Sequence, residues 1–182
     1  MKKKNKIQVL GMSIKGQLSR HFILGEMLFS NIANRFNLQN IPTEKEIKAM
    51  KYLCANLLEP IRNGVRETKS QNSVLIITSG FRCKEVNKKA GGAKTSRHLY
   101  GEAADFYMTK FELFNLFKFI VDSGLEFDQV IWEYDSWIHI SIKEEGINRN
   151  EILSVKQNRD TKNKWRGFSK AEVQAMQSSE EL

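Results

Sequence analysis

The chain has 182 residues, enough for one domain with a sizeable core but too few for two. Hydrophobic residues make up 41% of it and charged residues 27%, which argues against intrinsic disorder, and no apolar run approaches the length of a membrane span. The net charge of +8 favours a polyanionic partner, such as a nucleic acid, an anionic cell wall or a membrane surface, but it also fits a basic surface with no specific partner.

The N-terminus is basic over residues 1–6 and so resembles the start of a secretory signal. The apolar run that follows, residues 7–10, is broken by Gly11, so no signal peptide is predicted. We therefore expect a protein that is cytoplasmic at synthesis. Its organisation is predicted as a basic N-terminal segment (1–17), a main domain (18–145) and a basic, partly ordered C-terminal extension (146–182).

The first half of the main domain predicts two helices around a strand. Thr43 and Glu46 form a capping box that opens a helix, which Pro60 and Gly64 are expected to end. The β-branched run 74–78 predicts a buried strand. The residues 79–82 then turn the chain into a short helix that the glycines at 91 and 92 stop.

The second half predicts a strand, a helix and a hairpin. Alternation over residues 101–108 places Asp105 on the face opposite the apolar side chains. A second capping box, 109–112, is expected to open a helix that ends at Gly124. Two strands, 127–133 and 136–142, then form a hairpin in which His139 points away from the core. Helices and antiparallel strands in mixed order predict an α+β fold, with a small, mostly antiparallel sheet flanked by helices.

Two of the three histidines, His98 and His139, combine with Asp105 in a set that suits a catalytic zinc ion. Two imidazoles and one carboxylate are three ligands, and the fourth tetrahedral position is left for water. Zinc lowers the pKa of bound water from about 15.7 to about 7, so that the water can attack a peptide carbonyl. His21 has no carboxylate at ligand spacing and is expected to be an ordinary packed or exposed side chain.

The motifs around these residues resemble those of the zinc D-Ala-D-Ala peptidase family. The residues 96–105 match Ser-x-His-x-x-Gly-x-Ala-x-Asp in full, and Trp137 and His139 match the closing Trp-x-His. The segments 18–22, 79–82 and 127–133 are also similar to family segments. The family shares its fold with hedgehog signalling domains, and it includes D-Ala-D-Ala carboxypeptidases, vancomycin-resistance dipeptidases and phage endolysins that cut L-Ala–D-Glu bonds.

This resemblance implies roles for particular residues. His98, Asp105 and His139 become the ligands of one Zn²⁺ per chain, and Arg82 would stabilise the oxyanion that forms when water attacks the carbonyl. Ser96 and Trp137 become substrate-binding residues. The main domain is accordingly predicted to be a zinc peptidase domain.

The general base is the point at which the sequence departs from the family. Many members carry an Asp or Glu three residues before the second zinc histidine, and this chain has Ser136 there. Glu133 and Asp135 both lie close by. We assign the base to Glu133, because the end of a strand holds a side chain more firmly than a turn, for which Asp135 is suited.

The sequence therefore predicts a zinc-dependent peptidase of phage or bacterial origin that cuts stem peptides of peptidoglycan after release to the cell wall, either as a D-Ala-D-Ala carboxypeptidase or as an endopeptidase (endolysin). An anionic wall would attract the basic residues of the extension, with Trp165 and Phe168 as anchors. These basic residues are Lys156, Arg159, Lys162, Lys164 and Arg166. The alternative is a wall-binding module that keeps zinc without catalysis, favoured by Ser136 alone. A nucleic-acid partner is supported only by charge, since no DNA- or RNA-binding motif is present.

Overall fold

The computed structural model describes residues 8–9, 12–13, 15–68, 70–156 and 163–182. Its helices are α1 (Leu24–Leu28), α2 (Asn31–Arg35), α3 (Glu44–Leu53), α4 (Glu59–Thr68), α5 (Lys84–Lys89), α6 (Leu113–Asp122) and α7 (Lys170–Ala175). Its strands are β1 (Gln8–Val9), β2 (Met12–Ser13), β3 (Leu75–Ser79), β4 (Ala103–Met108), β5 (Gln129–Glu133), β6 (Trp137–Ser141), β7 (Glu151–Lys156) and β8 (Lys164–Phe168). Single helical turns lie at Cys54–Leu58, Arg97–Tyr100 and Ser179–Glu181.

A six-stranded sheet forms the centre of the fold, in the order β3-β4-β6-β5-β7-β8. Four of its five strand pairs are antiparallel, and β5 pairs with β7 in parallel. Strands β1 and β2 pair separately as a short antiparallel ribbon. The prediction of an α+β fold with a mostly antiparallel sheet is confirmed.

Helices cover one face of this sheet and leave the other face to the site. Strand β4 turns Ala104, Phe106 and Met108 towards the helices, where all three are buried. On β6, Ile138 and Ile140 join the same core, and α6 packs against both strands. Because side chains alternate along a strand, Asp105 and His139 must face the opposite side.

The predicted hairpin of β5 and β6 is confirmed, and its turn is tight. Tyr134 and Asp135 both have positive φ, 54° and 53°. Because Glu133 pairs with Trp137, three residues connect the strands. Tyr134 and Asp135 are the central residues of a turn that the Ser136 N–H closes by donating to the Glu133 carbonyl at 3.0 Å.

The helix that begins after Thr43 continues past Pro60 and Gly64, so the end predicted for it was wrong. Its π-helical turn, Cys54–Leu58, precedes the proline, and Pro60 lies in the first turn of α4, where its missing N–H needs no partner. Gly64 allows α6 to approach, because a Cβ there would lie 2.5 Å from Phe119 Cζ. The predicted start of the helix is confirmed, since Thr43 N–H donates to Glu46 Oε2 at 2.6 Å.

The capping box predicted at 109–112 is not formed, and α6 begins at Leu113 with Glu112 as its cap residue. The Thr109 hydroxyl oxygen instead accepts a hydrogen bond from the Val74 backbone N–H at 3.0 Å. Thr109 thus extends the pairing of β4 with β3, and this contact distant in sequence replaces the local cap.

The region from 146 to 182 was predicted as a basic, partly ordered extension. In its described part it completes the sheet, since β7 lies beside β5 and β8 lies beside β7. Val155 is fully buried, and the Ser154 hydroxyl donates to the Leu182 carbonyl at 2.8 Å. Of the basic side chains predicted to meet the wall, Arg159 and Lys162 lie outside the described residues, as do most of residues 1–14.

No helix among the described residues is long and apolar enough to cross a membrane.

Candidate metal centre and cleft

Two of the three predicted metal ligands lie directly opposite each other on neighbouring strands. Asp105 on β4 is in register with His139 on β6. Both side chains point away from the helices, and both are buried, with 7% and 8% of their surface exposed. The strand alternation read from the sequence therefore places these two residues correctly.

The third member, His98, comes from the helical turn Arg97–Tyr100 just before β4. This turn ends at Gly101, whose φ of 71° favours glycine and whose Cβ would lie 2.5 Å from the Glu46 carbonyl oxygen. The chain can reverse closely against α3 at this point, which brings His98 back over the first residues of the strand.

His98 is held by two hydrogen bonds to residues 80–82, one from its ring and one to its backbone carbonyl. Its Nδ1 lies 2.6 Å from the Gly80 carbonyl oxygen, which can only accept, so Nδ1 carries the proton and donates it. The His98 carbonyl in turn accepts from the Arg82 N–H at 3.1 Å. The lone pair of the neutral ring is thereby placed on Nε2, the atom that faces Asp105 and His139.

Three ligand atoms converge at this point. His98 Nε2 lies 3.1 Å from His139 Nδ1 and 3.1 Å from Asp105 Oδ1, and His139 Nδ1 lies 2.8 Å from the same oxygen. A tetrahedral site with bonds of about 2.0 Å has ligand atoms roughly 3.3 Å apart. The lone pair on His98 Nε2 and the carboxylate oxygen beside it are donor atoms that could hold a cation. Donor types and spacing both fit zinc.

The surroundings keep these groups in the protonation states that a metal ligand requires. Burial lowers the pKa of His98, which keeps the ring neutral. Burial alone would raise the pKa of the Asp105 carboxyl, but the neighbouring His98 and His139 hold it well below its usual range, so the group is ionised.

Arg82 and Glu133, which were predicted to be catalytic, both line the cleft that holds the three ligands. Arg82 Nη1 lies 3.9 Å from Asp105 Oδ2, and its Nε has no hydrogen-bond partner among the described residues. Burial lowers the pKa of Arg82, which still leaves it charged near neutral pH. Burial and the charge on Asp105 raise the pKa of Glu133.

The two carboxylates considered for the general base have different environments. Glu133 lines the cleft, where its Oε2 accepts from Trp137 Nε1 at 3.0 Å. Asp135 Oδ1 accepts from the Nε1 of Trp132, a buried side chain of the core, at 2.6 Å. Ser136 is engaged within the turn, since its hydroxyl donates to the Tyr134 carbonyl at 2.8 Å.

The cleft has a volume of about 710 Å³ and is bordered by loops and strands between Arg82 and Trp165. Ser96 and Trp137, which were predicted to bind substrate, both line it. Ser96 directly precedes the turn that carries His98, and its backbone carbonyl accepts from the Leu99 N–H at 3.1 Å. The Trp137 ring lies 5.5 Å from the Tyr134 ring, so two aromatic side chains stand beside the Glu133 carboxylate.

The third histidine lies outside the centre. His21 Nδ1 is 2.7 Å from Glu59 Oε2, and the same carboxylate accepts from the Ser19 hydroxyl and from the His21 backbone. This arrangement fastens the segment before α1 to the start of α4, and it fits the prediction of a packed histidine.

A family model, Peptidase M15, matches residues 20–141. The chain belongs to the peptidase M15 family. The match covers about two thirds of the 182 residues and includes His98, Asp105 and His139. Among curated proteins, none matches the chain at a significant level. The M15 match confirms the family resemblance drawn from the sequence motifs.

Several cleft residues of this M15 protein were not singled out as site residues from the sequence. They are Arg97, Gln129, Tyr134, Arg149 and Trp165. Arg149 and Trp165 follow the M15 match and reach the cleft because β7 and β8 join the sheet. The β-branched Ile152 and Val155 favour a strand here, but its parallel pairing with β5 has no local signature.

Proposed function

We propose that the protein is a zinc-dependent peptidase that hydrolyses peptide bonds in the stem peptides of peptidoglycan. The observation that carries the proposal is the convergence of His98 Nε2, His139 Nδ1 and Asp105 Oδ1 inside a cleft that also holds Arg82 and Glu133. M15 membership supports a peptidase that uses this metal site.

His98, Asp105 and His139 would hold the zinc ion, and when bound the ion would supply a Lewis acid that activates water at neutral pH. Glu133 would accept the proton of the attacking water and then deliver it to the leaving amine. Its raised pKa suits such an exchange better than that of an exposed glutamate, whose pKa is about 4.3.

Arg82 would donate to the substrate oxygen on which negative charge develops. Its guanidinium is largely buried, with Nη1 3.9 Å from Asp105 Oδ2, and its backbone N–H donates to the His98 carbonyl. A charged donor held in place in a site that excludes water stabilises such an oxyanion more than a solvated donor does. Ser96 and Trp137, which line the same cleft, would bind the peptide.

The surface of the C-terminal hairpin supports a polyanionic cell-wall partner. Lys156 on β7 and Lys164 on β8 lie directly opposite each other in the register. Like charges in this position repel each other, and an anionic polymer would relieve that repulsion.

Digestion of purified peptidoglycan tests this function. We expect new peptide termini in the fragments seen by mass spectrometry, their loss on chelation and their return with added zinc. The position of the new termini would show whether a carboxy-terminal residue or an internal bond is cut. Zinc binding with unchanged fragments would instead favour the wall-binding module without catalysis.

A further inference from the structure

The face of the sheet that carries the metal ligands continues well beyond them. Register places one row of residues side by side across five strands: Asp105, His139, Ile131, Leu153 and Gly167. Residues opposite each other in register point to the same face. Three strand intervals separate β6 from β8, which is a distance of about 14 Å.

The floor of this continuation is low and apolar. Ile131 is buried, Leu153 is partly buried, and Gly167 has no side chain to rise above the strand. Ile131 lines the cleft, and the row continues from it through Leu153 to Gly167, so the floor towards β8 offers apolar or backbone surface to a chain-like ligand.

Trp165 forms a wall along one side of this floor. It lines the cleft together with Glu133, although 57% of its surface is exposed. Trp165 is in register with Val155, which is in register with Glu133, so the indole stands two strands away from that carboxylate. Asn163 Nδ2 donates to the Tyr134 hydroxyl at 2.8 Å, which ties β8 to the aromatic pair beside Glu133.

Arg149 forms the other side of the floor. Its guanidinium lies 2.8 Å from Asp128 Oδ2 and 3.0 Å from Glu151 Oε2, so it is fixed while half of its side chain stays exposed to the cleft. Gln129 donates to the same Glu151 carboxylate at 2.6 Å. The two walls are set by residues four apart on β5, Gln129 and Glu133, which corresponds to about 13 Å.

We infer that β7 and β8 extend the substrate cleft, and that Trp165 is a specificity-determining residue which selects peptidoglycan fragments longer than a dipeptide. This inference rests on the proposed function. A dipeptide bound at the metal ligands leaves the indole unused, whereas a longer fragment covers it. Its apolar face suits either the methylene groups of a stem peptide or the flat side of a sugar ring. Binding energy from such a remote part of a substrate raises kcat/KM for long substrates selectively.

A nested series of fragments that share one scissile bond tests the inference. The series runs from the dipeptide through the bare stem pentapeptide to the pentapeptide with its disaccharide. For the zinc-loaded wild type we expect kcat/KM to rise with length. Trp165→Ala should lower kcat/KM by about tenfold on the long fragments and leave the dipeptide unchanged, and Trp165→Phe should restore most of the loss.

Phe29→Ala is the matched control, since Phe29 is similarly exposed, at 51%, and lies outside the cleft lining. Thermal midpoints of all variants check that each is folded. If kcat/KM falls only for the disaccharide fragment, the Trp165 indole contacts the sugar. If it already falls for the bare pentapeptide, the indole contacts the peptide. Both results support the inference.

Two results would overturn the inference. One is an equal loss of kcat/KM for Trp165→Ala on fragments of every length, and the other is a dependence of kcat/KM on fragment length that is the same in Trp165→Ala as in the wild type. A failure of the proposed function has a different signature. In that case the zinc-loaded wild type would cut no member of the series, and the inference would fall with it.

Discussion

His98 donates its Nδ1 proton to the Gly80 carbonyl across 2.6 Å, so a backbone group of the loop after β3 fixes the ring that the metal would bind. Such outer partners orient a ligand and typically change metal affinity by 10- to 100-fold, as an order of magnitude, when they are lost. Gly80 itself is closely surrounded, because a Cβ there would lie 2.4 Å from the Met27 carbonyl oxygen and 2.8 Å from Met27 Cα.

Gly80→Ala should therefore weaken zinc binding although it changes no ligand. The new methyl group meets backbone, so the loop must move, and overpacking of this kind costs about 1–3 kcal/mol of stability. We expect a lower thermal midpoint and a zinc affinity reduced by about tenfold or more, measured by competition with a chromogenic chelator. Gly167→Ala is the control, since its nearest contact would be Leu153 Cδ2 at 3.6 Å. Equal zinc affinities in the two variants would contradict the role given to the Gly80 carbonyl.

The three histidines give a direct test of the metal centre. His98→Ala and His139→Ala each remove a ligand atom and should abolish stoichiometric zinc binding. His21→Ala should keep one zinc per chain but lose about 1–3 kcal/mol of stability, because the buried Glu59 carboxylate loses its 2.7 Å partner. Metal analysis after gel filtration, together with thermal unfolding, separates the two effects. Loss of zinc from the His21 variant alone would refute the assignment.

Much of the centre is predictable because it depends on local patterns. The alternation of Ala104, Asp105 and Phe106 determines which side of β4 carries the carboxylate, and the same rule orients His139 on β6. The hairpin between β5 and β6 brings Glu133 back beside Trp137 with no contact from a distant part of the chain. The residues that the motif names as ligands are therefore the ones that the alternation places on the face away from the helices.

Other features depend on contacts that the sequence does not display. Pro60 signals the end of a helix, yet the π turn before it lets the helix continue. Trp165 is an exposed aromatic residue among basic residues, which by itself indicates only an anchor. Its place in the cleft arises from the parallel pairing of β7 with β5, and a parallel pairing between distant segments has no marker in either strand.

Glu133→Gln and Asp135→Asn should separate the two candidate bases. Glu133→Gln keeps the size of the side chain but cannot accept a proton, so kcat should fall by about 10²- to 10⁴-fold while zinc stays bound. Asp135→Asn should keep its turnover, because the amide oxygen still accepts from Trp132 Nε1 and the residue does not line the cleft. Steady-state kinetics on a peptidoglycan fragment, with zinc content measured for each variant, give the comparison. Retained turnover in the glutamine variant and loss in the asparagine variant would transfer the role to Asp135.

Asp128 should make a stabilising contribution that depends on pH. Its side chain is fully buried and lies 2.8 Å from Arg149 Nη2 and 3.0 Å from Lys143 Nζ. Burial alone would raise the pKa of Asp128, but hydrogen bonds from Arg149 and Lys143 lower it to about 2. The unfolded chain, with a pKa of about 3.9 at this residue, binds more protons than the folded chain between these values. The contribution, on the order of 2 kcal/mol, is therefore complete above about pH 4 and is lost as the pH falls towards about 2.

Asp128→Asn should accordingly be least stable relative to the wild type near neutral pH, and the difference in the free energy of unfolding should shrink between about pH 4 and pH 2. Urea unfolding at several pH values measures this difference, with chelator present throughout so that zinc release in acid does not contribute. Asp122→Asn, at an exposed carboxylate near the end of α6, is the control and should differ little from the wild type at any pH. The difference in the free energy of unfolding between Asp128→Asn and the wild type could instead stay constant down to about pH 2. That result would mean that Arg97, Lys143 and Arg149 do not stabilise the charge on Asp128.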